Sequence, residues 1–232
     1  MGIMKKNAFT LAETLVTLAI IGMIASMVIP PLVTSYQKTV HEVKLRKIYA
    51  VLSQIAQYAV GEYGDMPYLD FSDGSSEKVQ EWYLSYFKPN LKIAKECFDE
   101  NGCWAEDVTH LNGDTVSNAT ARGIGGNIVT FQTIDGTRFN MDGNIPDDLN
   151  TQFGIDSDID GLVIYVDLNG DKKPNVIGKD IFVFVYTDKG FVPAGNDRTK
   201  EFVAQNCSED GSGVMCASNI VRNNWKFGDI NM

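Results

Sequence analysis

Residues Lys5 to Val33 read KKNAFTLAETLVTLAIIGMIASMVIPPLV. Two lysines lead into a short polar hinge, and from Phe9 onward the run is almost wholly apolar. About 25 residues at ~1.5 Å per residue cross a hydrocarbon core of roughly 30 Å. The first unit of the fold is therefore expected to be a membrane-length helix over residues 9–33, preceded by a basic leader over residues 1–8. A cleaved secretory signal is a poor match. Its apolar core is usually ~7–15 residues and ends at a small-residue cleavage site, whereas this run is longer and leads into Pro30-Pro31. A plain single-span anchor, with Lys5 and Lys6 holding the short end in the cytoplasm, accounts for the leader and the helix.

It leaves Glu13 unexplained, the one formal charge inside the run. A carboxylate within a spanning helix costs about 2.5–3.5 kcal/mol on insertion scales, so it marks a functional position by default. No Lys, Arg or His lies between Lys6 and Lys38 to pair with it. A cut between Ala8 and Phe9 would create an α-amino group roughly one helical turn away, with a reference pKa of about 7.7–8.0. That amine, on the same copy or on a neighbour, would give Glu13 a cationic partner.

Lys5-Lys6 followed by Ala8-Phe9-Thr10-Leu11-Ala12-Glu13 resembles the prepilin cleavage motif of type IV pilins and type II secretion pseudopilins. The resemblance implies cleavage by a membrane prepilin peptidase between Ala8 and Phe9, N-methylation of Phe9, and a role for Glu13 in docking the subunit into a helical filament. Gly22 and Pro30 fall where members of the family carry helix-weakening residues. Two positions depart from the usual pattern: Ala8 stands where Gly is common, and Thr14 follows Glu13 where an apolar residue is common. The motif occupies about an eighth of the chain. The partners implied are the peptidase, other pilin or pseudopilin subunits, an inner-membrane assembly platform, and the lipid bilayer before assembly. The subunit would sit in the inner membrane with its head outside the cytoplasm, then in a periplasmic or cell-surface filament.

The rest of the chain is long enough for one soluble head with its own core. The 232 residues carry a formal net charge of −10. Loss of Lys5 and Lys6 with the leader would make the mature chain more acidic still. Such a head is a poor electrostatic partner for nucleic acid. The expected class is α+β: a long N-terminal helix packed on an antiparallel sheet. Residues 34–64 should continue the helix in amphipathic form and residues 65–232 should form the head.

Pro30-Pro31 is expected to kink or break the helix, because proline lacks an amide donor and clashes with the preceding turn. Beyond it, Leu45, Ile48, Leu52, Ile55 and Ala59 recur at helical spacing and define a face that packs on the head. Gly61, Gly64 and Pro67 end the helix, and Ser72 to Ser76 form a loop. Glu77 to Phe87 reads as a short helix stopped by Pro89, with Val79, Trp82, Tyr83 and Tyr86 available for burial. Strands are expected at Ile128–Thr133, Thr137–Met141, Leu162–Asp167, Ile181–Thr187 and Phe191–Pro193. Ile134-Asp135-Gly136 reads as a hairpin turn. The tail, with Ile220, Val221, Trp225 and Phe227, should fold back onto the core.

The four cysteines fall into two close pairs, Cys97/Cys103 and Cys207/Cys216. Their spacings do not suit zinc, and a head carried across the membrane enters an oxidising space. Two local disulfides are expected, with crossed pairing and free buried thiols as the alternatives. Two acidic runs are candidate calcium loops. Asp156-Ser-Asp158-Ile-Asp160-Gly161 follows the opening half of a D-x-D-x-D-G loop, with Asp167 where its closing Glu would stand. Asp167, Asn169 and Asp171 begin a D-x-N-G…P-N…G-K-D stretch that resembles a loop recurring in pseudopilin-like heads, some of which are stabilised by calcium. Asp, Asn and Gly also suit plain tight turns, and Lys172-Lys173 would weaken cation binding.

Catalytic signatures are lacking: there is no G-x-S-x-G, H-E-x-x-H or P-loop sequence. The glycine-rich stretch 122–126 follows no apolar strand, and His41 and His110 are the only histidines. The sequence thus reads as a non-enzymatic filament subunit. Its rival is a membrane-anchored binding module with an acidic head.

Overall fold

Apolar surface that cannot be buried within the chain separates the first part of this protein from the rest. The computed structural model describes residues 10–63, 76–117, 122–123 and 128–228. The cleavage position Ala8–Phe9, the loop residues 72–75, Gly64, Pro67 and the glycines at 125 and 126 lie outside them. The chain divides into two units, Met1–Val40 and His41–Met232.

Helix α1 spans Leu11–Tyr63 and holds Pro30 and Pro31 in its interior. The expected break does not occur. Each proline removes one amide donor, but its fixed φ near ~−65° is itself helical. Thr34 Oγ1 adds a bond to the Pro30 carbonyl at 3.1 Å. Within the first unit Leu11, Leu15, Leu18, Ile21, Met23 and Met27 are all exposed. An 18-residue window of α1 reaches a mean hydropathy of 2.2 with 0% of it buried, long and apolar enough to cross a membrane.

In the second unit the same helix turns amphipathic. Leu45, Leu52, Ile55 and Ala59 are fully buried and Ile48 nearly so, the face that the 3-4-3-4 spacing predicts. They join one core layer with Phe131, Phe139, Phe182 and Phe184. Each such side chain removed from water contributes about 1.5–3 kcal/mol.

The sheet is a six-stranded antiparallel meander in chain order. Its strands are β1 (Ile93–Phe98), β2 (Ile128–Thr133), β3 (Arg138–Asn144), β4 (Gly161–Asp167), β5 (Ile181–Thr187) and β6 (Gly190–Pro193). Strands β2 and β3 pair Val129 with Met141 and Phe131 with Phe139 across the turn at 134–136. The rings of Phe131 and Phe139 stack at 4.8 Å. Every residue of β4 and β5 is buried, because both sheet faces are covered. Alternate residues feed the α1 layer (Leu162, Ile164, Val166) and a second layer (Val163, Tyr165) with Leu149, Phe153 and Trp104.

The helix expected at Glu77–Phe87 begins as α2 (Ser76–Trp82), widens into a π turn over Tyr83–Phe87, and tightens to a 3-10 turn over Lys88–Asn90. Pro89 therefore does not stop it: the last turn accommodates proline near its start. Among the described residues the head also holds three short helices, α3 (Pro146–Phe153), α4 (Lys200–Asn206) and α5 (Cys216–Arg222). The tail packs inward, with Ile220 fully buried and Phe227 at edge-to-face distance from Phe182, 5.6 Å.

Candidate functional site

Glu13 sits in the first turn of α1, where four backbone amides lack helical partners. The Thr10 amide and hydroxyl both donate to Glu13 Oε2, at 2.8 and 2.9 Å. The Glu13 amide donates back to Thr10 Oγ1 at 3.3 Å. This reciprocal pair is a capping box, and the sequence carries its T-x-x-E signature. It revises one expectation. The carboxylate has polar partners within its own chain, although its charge is balanced by none of them. Ala8 and Phe9 precede the described residues. The surface that follows Glu13 is apolar on all sides for more than five turns, with small or hydroxyl side chains such as Thr14, Thr17 and Ser26 bonded back to the helix carbonyls.

The predicted acidic positions in the head do not come together. Asp156 accepts from Arg198 Nη1 at 2.8 Å and from Asn150 Nδ2 at 2.6 Å. Its backbone amide donates to Asp197 Oδ2 at 3.0 Å. Asp158 is exposed and Asp160 half-buried. Asp171 is exposed and ion-paired with Arg138. Asp167 is fully buried at the end of β4, where Oδ1 accepts from the Asn169 and Gly170 amides, each at 2.9 Å. Desolvation pushes the Asp167 carboxyl up to about 7, opposed by those two amides and by Arg138. Asp180 enters this loop unannounced by any reading as a ligand. It is nearly fully buried, and burial also raises its carboxyl above the usual range. Among the described residues no three His, Cys, Asp or Glu side chains gather as a metal-binding group.

Both expected disulfides are formed, Cys97–Cys103 with Cα atoms 5.9 Å apart and Cys207–Cys216 with 4.9 Å. Asp99 and Gly102 take positive φ, 54° and 110°, as the first short loop requires. The second bridge ties the end of α4 to the start of α5. The aromatic cluster on α2 is core: Trp82, Tyr83 and Tyr86 are buried, and the Tyr83 hydroxyl donates to Glu96 Oε1 at 2.6 Å. Burial and that neighbour hold the Tyr83 hydroxyl protonated.

The chain matches no curated protein and no solved structure. Residues 3–29 match the family model of the prokaryotic N-terminal methylation motif. The chain therefore carries the prepilin signature of type IV pilins and pseudopilins, and to it are joined a long apolar helix and an antiparallel sheet of pilin-like architecture.

Proposed function

We propose that the chain is a structural subunit of a type IV pilus or type II secretion pseudopilus, with no catalytic role of its own. In this reading a prepilin peptidase cuts between Ala8 and Phe9 and methylates the new amine. The subunit waits in the inner membrane with its head outside the cytoplasm, and an assembly platform extracts it into a helical filament. The observation that carries the reading is the methylation motif at residues 3–29, running directly into a helix whose apolar window is 0% buried within the chain. Lipid covers that surface before assembly and neighbouring helices cover it afterwards. The Thr10 cap keeps Glu13 Oε2 bonded in the monomer. A Phe9 amine from a neighbouring subunit would add the missing charge balance, so assembly gains where the single chain cannot.

The test is the intact mass of membrane-extracted protein, made with and without a prepilin peptidase. Peptidase-dependent loss of residues 1–8 plus one methyl on Phe9 is the expected result. An uncut chain, or one cut beyond Pro31, would overturn the filament reading and leave an anchored or secreted binding domain.

A further inference from the structure

The two ends of the sheet differ in shape and in charge. At one end β2 turns into β3 and β4 runs into β5, beside Lys44 and Lys47 of α1. Lys44 Nζ donates there to the Leu168 carbonyl at 2.9 Å. The surface acids Asp135, Asp171 and Asp107 are each ion-paired at this end, with Lys47, Arg138 and Lys173. Lys92 and Lys172 are exposed beside them, and Lys92 is in no ion pair among the described residues. Lys92 belongs to this end because its carbonyl accepts from the Ile134 amide in the β2–β3 turn, at 2.9 Å.

An open groove of about 370 Å³ lies at this basic end. Ile48, Val51, Leu91 and Phe139 give it apolar walls, and Lys47 and Lys92 give it cations. Ile134, 66% exposed, also lines it. The groove is therefore apolar within and positive at Lys92, in a chain whose formal net charge is −10.

The other end has the complementary character. There β3 leads into α3 and β4 begins, with Asn144 opposite Gly161 in register. Ile145 is 43% exposed at this corner. Asp147 and Asp148 follow it in the first turn of α3, and Asp158 and Asp160 stand just ahead of β4. Arg198 and Lys189, cations of this end, are already held by Asp156 at 2.8 Å and Asp197 at 3.5 Å.

We propose that the groove receives the Ile145–Asp148 corner of a second copy of this chain, with Ile145 against the apolar walls and Asp147 toward Lys92. The inference rests on the filament reading and names a contact between heads within it. The chain cannot fill its own groove. Arg138 and Ile145 bracket β3, and at ~3.4 Å per residue they stand roughly 24 Å apart. The apolar contact supplies attraction, and the charges set direction, because a reversed copy would bring like ends together. Corner and groove are different surfaces, so the contact is heterologous. Each added copy leaves one corner and one groove unfilled, and growth continues without closing on a two-fold axis.

The experiment uses the full-length chain, made with a prepilin peptidase and an assembly machinery, and measures sheared filaments. Lys92→Glu and Asp147→Lys should each lower the filament fraction about fivefold at unchanged membrane level, and the double variant should restore most of it. Both side chains are exposed, so neither change touches the core. As a second measurement, Ile134→Cys/Ile145→Cys filaments are oxidised with copper phenanthroline. A ladder of dimers and larger species of this chain, collapsed by a reducing agent, is expected. Unchanged assembly of Lys92→Glu, no recovery in the double variant, monomers only after oxidation, or cross-links from position 134 only to a different protein would each overturn the contact. If the chain in those cases is cut, methylated and assembled, the filament reading stands without it. An uncut chain removes both.

Discussion

Lys226 Nζ lies 2.7 Å from Glu42 Oε2, joining residues 184 apart in sequence, and the Phe227 amide donates to the other oxygen, Glu42 Oε1, at 3.2 Å. The two contacts differ in worth. Lys226 is 65% exposed, so its ion pair is screened and contributes little. Glu42 is only 13% exposed and accepts from the Phe227 amide, beside that residue's buried ring. Glu42→Ala should therefore destabilise the head by about 1–2 kcal/mol, and Lys226→Ala by no more than ~0.5 kcal/mol. Urea unfolding followed by tryptophan fluorescence separates the two. Equal losses would show that the ion pair, and not the amide bond, latches the tail.

Glu13 offers a sharper test of assembly. Glu13→Gln keeps an oxygen for the Thr10 donors and removes the charge; Glu13→Ala removes both; Thr10→Ala spares the charge. If charge pairing with a Phe9 amine drives docking, both Glu13 variants should lower the sheared-filament fraction at least tenfold while membrane levels hold. Thr10→Ala should lower it less, because a cap is worth only ~0.5–2 kcal/mol. Normal assembly of Glu13→Gln would sink the charge argument.

The disulfides bridge separations of 6 and 9 residues. On the chain-entropy account, short loops of this size stabilise by roughly 2–3 kcal/mol each. The pair Cys207→Ser/Cys216→Ser should cost more than Cys97→Ser/Cys103→Ser. Cys207 and Cys216 belong to the main core layer and position α4 against α5 there, whereas Cys97 lies on the edge strand. Thermal unfolding of the two double variants measures the difference. An equal or reversed order would show that core placement does not set the contribution.

Much of the fold was legible because its strongest patterns are local. Ile181–Thr187 and Ile128–Thr133 begin and end where β-branched and aromatic runs begin and end. Strand β1 escaped because Lys95 and Glu96 interrupt it, as suits an edge strand with an exposed face. Helix α3 escaped although it has Pro146 at its start, Asp147 and Asp148 in its first turn, and Gly154 in the left-handed conformation at its end. Its apolar content is only Leu149 and Phe153, too little to announce a period. The T-x-x-E spacing of Thr10 and Glu13 marks the capping box in the sequence, whereas the charge of Glu13 alone does not. The Arg198–Asp156 and Lys226–Glu42 pairs join distant segments and leave no local trace in sequence. The same holds for Asp167 and Asp180: the residue types are visible in the sequence, but their burial is not.

That burial has a pH signature. The Asp167 carboxyl is raised to about 7 from an ordinary 3.8, chiefly by desolvation, with Asp180 reinforcing and Arg138 opposing. A raised folded-state value means that the native protein binds the extra proton. The stabilisation is complete below the unfolded value near 3.8 and is lost as pH rises through about 7. Asp180, also raised by burial, acts in the same direction. His41, lowered by burial and by Lys44, acts in the opposite direction as pH falls below its ordinary 6.5. Comparison with Asp167→Asn cancels the His41 contribution, because His41 is unchanged in both. The wild type should therefore gain stability relative to Asp167→Asn as pH falls from 8 to 5, read as a rise in its Tm relative to that of the variant. Parallel Tm profiles for the two proteins would show that Asp167 stays ionised in the fold, held by Arg138 and its two amides alone.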